Sequence, residues 1–192
     1  MTVAIVGIGL SQLVCAHTIF DLKPTSEIHL ISERAEAGLI GELPGLISQP
    51  LSNNIPNEWL GDLGSQIPTP SHTAVRRSWL EKALATKLGQ TTITLSGAGY
   101  SSGSTLLVEK VINKPENKSP IQWHGGVHNE ELTGSEHEGH RPDGLVEIWW
   151  PAEQEPPRNE GKWLQLMDWA GEDPSQSLEQ EVELGRSLAA TT

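Results

Sequence analysis

The chain has 192 residues, a formal net charge of −12 and one cysteine. That length fits one domain with a sizeable core, and the acidic balance excludes a non-specific nucleic-acid surface, which needs a basic face. The single Cys15 excludes an intramolecular disulfide framework and fits a reducing cytoplasm.

Val3–Val6 is short, branched and continuous and ends at Gly7, the pattern of a buried parallel strand. It is too short for the apolar region of a signal peptide, and no stretch of the sequence approaches a membrane span, so we expect a cytoplasmic protein without one. Leu10–Leu22 reads as a helix with Leu10, Leu13, Val14, Ile19 and Phe20 on its apolar side and Pro24 after its end. Ile28–Ser32 is a second strand. Strand, helix and strand within about thirty residues make a βαβ unit with a right-handed crossover.

From Ala35 to Ser71 the recurring Gly, Pro, Ser and Asn predict loops, with a short helical turn near Trp59. "AVRRSWLEKALATKLG" predicts a helix with Val75, Trp79, Leu80, Ala83, Leu84 and Leu88 on one side and Gly89 as its stop. Five strand-like pieces follow: Thr92–Leu95, Leu106–Ile112, Ile121–Trp123, Leu145–Trp150 and Trp163–Met167. "HNEELTGSEHEGHRPDG" and "PAEQEPPRNEG" read as exposed loops, and Leu178–Ala190 reads as a closing helix. The fold class is therefore α/β: a Rossmann-like three-layer fold with a mostly parallel sheet, plus an antiparallel β-meander from the later strands, all in a single domain over residues 1–192.

The chemistry sits at the first turn. Gly7, Ile8 and Gly9 form the spacing G-x-G between strand and helix. In a dinucleotide fold the first glycine makes the tight turn and the second lets the backbone approach a pyrophosphate. The N–H groups of Leu10 and Ser11 then face the phosphates from the positive end of the helix dipole. Position 12, where a third glycine stands in the full fingerprint, is Gln12. Glu33, about twenty residues past the motif at the end of the second strand, suits the hydroxyls of an adenosine ribose.

"VAIVGIGLSQLVCAHTI…IHLISER" resembles the N-terminus of flavoproteins with two dinucleotide-binding domains, the class of aromatic-ring hydroxylases, lycopene cyclases and related FAD-dependent oxidoreductases. Glu33–Arg34 followed by Gly38 to Gly41 is similar to their "ER…GG" signature. "VRRSWLEKALATKL" is similar to their helix with an arginine near the flavin, here Arg77 with Leu80 and Leu84. "LQLMDWAGEDPSQSLEQEVELGRSLA" is similar to their closing segment, which implies Asp168 on the ribityl chain and Gly185–Arg186 as the helix signature. The internal Asp-Gly of the family corresponds to Asp143–Gly144. The resemblance implies FAD as cofactor, a small-molecule substrate and oxidoreductase chemistry, and the family's large substrate domain is expected to be absent. It names no catalytic acid or base.

His124, His128, His137 and His140 fall within seventeen residues and are expected to be solvated loop side chains rather than metal ligands. Cys15 is expected to be a packing residue. Seven tryptophans stand beside one Tyr and one Phe, and the adjacent Trp149 and Trp150 must point to opposite faces of their strand. From Glu130 on, 15 acidic residues meet 4 basic ones, an excess expected to lie on a solvated surface. Two other functions remain open: a non-catalytic interaction module built on a dinucleotide fold, and an NAD-binding reductase. Glu33 disfavours NADP, whose 2′-phosphate would meet a carboxylate.

Overall fold

Two sheets organise the chain. The structure, a computed structural model, describes residues 1–34, 36–38, 43–61, 67–89, 94–96, 107–116, 121–129, 135–157 and 163–192. In chain order the elements are β1 (Thr2–Val6), α1 (Leu10–Leu22), β2 (Glu27–Ile31), α2 (Leu51–Asn54), a 3₁₀ turn at Asn57–Trp59, α3 (Arg77–Gly89), β3 (Thr94–Ser96), β4 (Lys110–Asn113), β5 (Gln122–His128), β6 (His137–His140), β7 (Val146–Pro151), β8 (Gln165–Ala170) and α4 (Ser177–Ala190).

The first sheet is parallel, in the order β3-β2-β1-β4. Its buried residues Val3, Ile5, Ile28, Leu30 and Ile112 alternate along their strands and so share one face. Leu10, Leu13, Val14 and Ile19 of α1, Leu80, Leu84 and Leu88 of α3, and Leu178 and Val182 of α4 complete that core. α1 lies on the sheet, with α4 packed along it and α3 beside it. α1 keeps the bounds expected of it; α3 begins only at Arg77, because Ala74 and Val75 are used in extended pairing with Leu46 and Gly45.

The second sheet is antiparallel, in the order β6-β7-β5-β8. The α/β class with a parallel and an antiparallel sheet is as expected, but the second sheet is not a simple meander: β5 sits between β7 and β8. The segment from His128 to Gly144, expected to be a loop, contains strand β6. Its sequence HEGH is too polar to announce a strand, and the strand exists because β7 supplies its ladder from His137↔Trp149 to His140↔Val146. The four histidines are accordingly on strands β5 and β6, and His128 is buried, edge-on to Trp163.

Trp149 and Trp150 do face opposite sides, and both are buried. Trp149 packs with Trp123, Val127 and Met167 against the paired Leu46 and Ala74, and Trp150 packs with Val146, Ile148 and Trp163 on the far side. Gly125 of β5 makes room for Trp149 and Gly126 for Trp163: a Cβ at Gly125 would fall 2.7 Å from the Trp149 ring, and one at Gly126 2.2 Å from the Trp163 ring.

A buried carboxylate holds the loop before α2 to the second sheet. Glu147 of β7 accepts the Gly45 N–H (2.8 Å), the Trp149 indole N–H (2.7 Å) and the Arg141 guanidinium, whose Nε donates at 2.9 Å. The acidic excess of the last third is thus only partly surface. Among the described residues no helix is long and apolar enough to cross a membrane.

Candidate functional site

β1 turns into α1 through Gly7, whose φ of +105° is a conformation that side chains rarely tolerate. Its N–H donates to the Ile31 carbonyl at 2.7 Å, which anchors the turn on the end of β2. Gly9 caps α1 without a side-chain bond, so the first N–H groups of the helix open towards the carboxyl edge of the sheet. The register Val6↔Ile31 and Val6↔Asn113 brings three things to that edge: the glycine turn, Glu33 with Arg34 just past β2, and Lys114 just past β4. β2 lies to one side of β1 and β4 to the other. The chain therefore reverses its winding here, and open α/β sheets bind ligands at such a reversal.

The side chain of Gln12 lies over the turn. A Cβ at Gly7 would stand 2.9 Å from Gln12 Nε2, and one at Gly9 3.1 Å from Gln12 Oε1. The room that the glycines leave is taken by an amide of the same chain. The Ser11 hydroxyl is fully buried and donates to Gln12 Oε1 at 3.2 Å.

α4 closes the other side. Gly185 approaches α1 so closely that a Cβ there would fall 2.4 Å from the Ser11 carbonyl oxygen. One turn earlier, Glu181 faces Ser11 and forms an ion pair with Lys114. Burial raises the Glu181 carboxyl, but the charges of Arg77 and Lys114, with the hydrogen bond from Lys114, outweigh it and hold its pKa below the ordinary carboxylate value. Lys114 and Glu181 also line a cavity of about 290 Å³ with Trp169, Glu172, Ser177 and Gln180. Among its described lining residues Lys114 is the only basic one.

The remaining residues singled out in the sequence are more scattered. Glu33 and Arg34 are exposed at the carboxyl edge, beside the turn. Arg77 is buried in α3, where it donates to Glu81 (3.0 Å) and to the Pro44 carbonyl (3.1 Å). It reaches the site only through its field on Glu181. Asp168 lies on β8 with an 83% exposed side chain, 2.6 Å from His124 Nδ1. Gly38, with φ +70°, packs on the Ser78 carbonyl, and Gly41 lies outside the described residues. Asp143–Gly144 forms the turn between β6 and β7, and Arg186 donates to the Asn54 carbonyl.

Lys114 and Glu181 were not singled out from the sequence. Lys114 gave a weak signal, as the first charge after a strand, but its importance depends on β4 lying beside β1. Glu181 was one more acid in an acidic segment.

Burial pushes the Cys15 thiol up to about 12, which leaves it un-ionised and inert. No group of three His, Cys, Asp or Glu side chains among the described residues is arranged to hold a metal ion.

No protein-family model matches the chain, and no curated protein matches it in sequence. Solved structures do match its fold. FqzB superposes with a TM-score of 0.65 at 11% identity, over 100% of this chain and 75% of its own. CabE, an aromatic hydroxylase from angucycline biosynthesis, does so with a TM-score of 0.57 at 14% identity, over 99% of this chain and 62% of its own. The Diels-Alderase PyrE3 has a TM-score of 0.52 at 14% identity, over 99% of this chain and 66% of its own. The chain thus spans between about three-fifths and three-quarters of the length of these three. One architecture carries a hydroxylase and a Diels-Alderase, so fold does not choose between chemistries.

Proposed function

We propose that the chain is a flavoprotein-type unit that binds FAD at the carboxyl edge of the parallel sheet, in the oxidoreductase manner of the hydroxylases it resembles. The observation that carries this reading is the Gly7–Gly9 turn: a positive φ at Gly7 and an uncapped α1 N-terminus at the point where the sheet reverses its winding. The fit of the residues to FAD divides in two. The backbone suits a pyrophosphate, with N–H groups of Leu10, Ser11 and Gln12 at the helix start and Lys114 just past β4 at the same edge. The side chain of Gln12 covers that backbone, but its amide is the far end of a flexible chain and can turn aside. Glu33 and Arg34 stand where an adenosine ribose would lie. Arg77 serves from behind, by holding Glu181 and the Pro44 loop. Asp168, paired with His124 on the second sheet, would meet the ribityl end only if that end reaches β8.

When bound, the flavin supplies the redox chemistry and the protein supplies placement and electrostatics. CabE, the hydroxylase with this fold, supports the oxidoreductase class; the substrate would be a small molecule. The test is direct. Purified protein should be yellow, or should take up added FAD with a rise in melting temperature, since a ligand that binds only the native state stabilises it. A colourless protein that responds to NAD alone would move the assignment to a reductase. Silence towards both would favour an interaction module.

A further inference from the structure

Three side chains converge on the start of α1: the Gln12 amide over Gly7 and Gly9, the Glu181 carboxylate facing the Ser11 hydroxyl, and the Lys114 ammonium bound to that carboxylate. We propose that Gln12 and Glu181 form an internal latch on the phosphate turn, and that a pyrophosphate-bearing ligand enters by exchanging places with the Glu181 carboxylate on Lys114. The proposal rests on the dinucleotide reading for its natural ligand, but its physics concerns only an anion at this turn.

The uncapped N–H groups of α1 favour negative charge nearby, and the chain supplies that charge itself from α4. Close packing at Gly185 fixes the distance, because it brings α4 against the Ser11 carbonyl and sets Glu181 one turn away at the helix start. With Lys114 held by Glu181, the one basic residue among the described lining of the cavity is already neutralised, and the exposed Glu116 and Glu172 also border that cavity. An incoming pyrophosphate therefore meets a carboxylate where it needs a cation. It binds well only when Glu181 releases Lys114 and the Gln12 amide leaves the glycines. Both movements are side-chain rotations. Glu181 and Lys114 are each partly exposed, with side chains 22% and 32% accessible, so the pair can open without unfolding α4.

The test uses the full chain and two probes, FAD and inorganic pyrophosphate, titrated by calorimetry into wild type, Gln12→Ala, Glu181→Gln and Lys114→Met, with a melting curve for each to confirm folding. The latch predicts that Gln12→Ala and Glu181→Gln each bind pyrophosphate about tenfold or more tightly than wild type, and that Lys114→Met binds it about tenfold more weakly than Glu181→Gln, the scale on which one charge-assisted hydrogen bond to the anion alters affinity. FAD should follow the same order. If folded Gln12→Ala and Glu181→Gln bind pyrophosphate no better than wild type, the latch is wrong, whatever FAD does. If pyrophosphate follows the predicted order while FAD binds none of the four proteins, the latch stands and the flavin assignment fails.

Discussion

A Cβ built on Gly7 would stand 2.9 Å from the Gln12 amide nitrogen, on a backbone whose φ is +105°. Gly7 thus faces two constraints at once. Gly7→Ala should lose about 1–3 kcal/mol from backbone strain alone and should also displace the Gln12 amide. Urea unfolding reads the first effect. Ala at this position with unchanged stability would mean that the turn relaxes freely.

Gly185 makes a different contact. α4 has no room for a side chain there, because the Ser11 carbonyl and the Val14 side chain fill it. Gly185→Ala should overpack the α1–α4 interface and cost about 1–3 kcal/mol. It should also move Glu181 away from Ser11, so anion affinity should change together with the melting temperature.

Glu147 is wholly buried and Arg141 nearly so. Glu147→Gln leaves the guanidinium without its counter-charge and should cost about 3–5 kcal/mol, whereas Arg141→Leu combined with Glu147→Leu should recover part of that loss. Denaturant midpoints of the single and double variants decide it. Equal losses in both would show that the Gly45 and Trp149 hydrogen bonds of Glu147, and not its ion pair, carry this stability.

His17 stacks on Trp59 and bonds the Leu84 carbonyl, and burial lowers its pKa from 6.5 to about 4. The native state therefore keeps it neutral while the unfolded chain takes up a proton below pH 6.5. Its contribution is complete above pH 6.5, falls as the pH drops towards 4, and reaches a loss on the order of 3 kcal/mol below that. His17→Gln should flatten this part of the stability–pH curve. An unchanged slope between pH 6.5 and 4 would assign it to other groups.

Glu33 stands at the carboxyl edge with its side chain exposed. Glu33→Ala should leave stability within about 0.5 kcal/mol, as for other surface changes. It should weaken FAD by about 1–3 kcal/mol through the lost hydrogen bonds to ribose. Calorimetric titration separates the two effects, and undiminished affinity would place the ribose elsewhere.

The local elements were written in the sequence. Val3–Val6, Gly7 and the 3.6-residue pattern from Leu10 onward determine β1, the turn and α1, because a branched run, a residue free to take positive φ and an apolar helix face act over a few neighbours. The same locality explains why the closing helix was legible to within a residue. The sequence alone did not determine what lies on the turn. Gln12 reads as a missing glycine, yet its amide occupies the space over Gly7 and Gly9. Lys114 and Glu181 are 67 residues apart in sequence and meet only because β4 docks beside β1 and α4 beside α1. β6 and the buried Glu147 likewise follow from partners that the chain brings from afar. Pairing, burial and opposed charge are long-range, and only tertiary structure decided that Glu181 and Lys114 stand beside this turn.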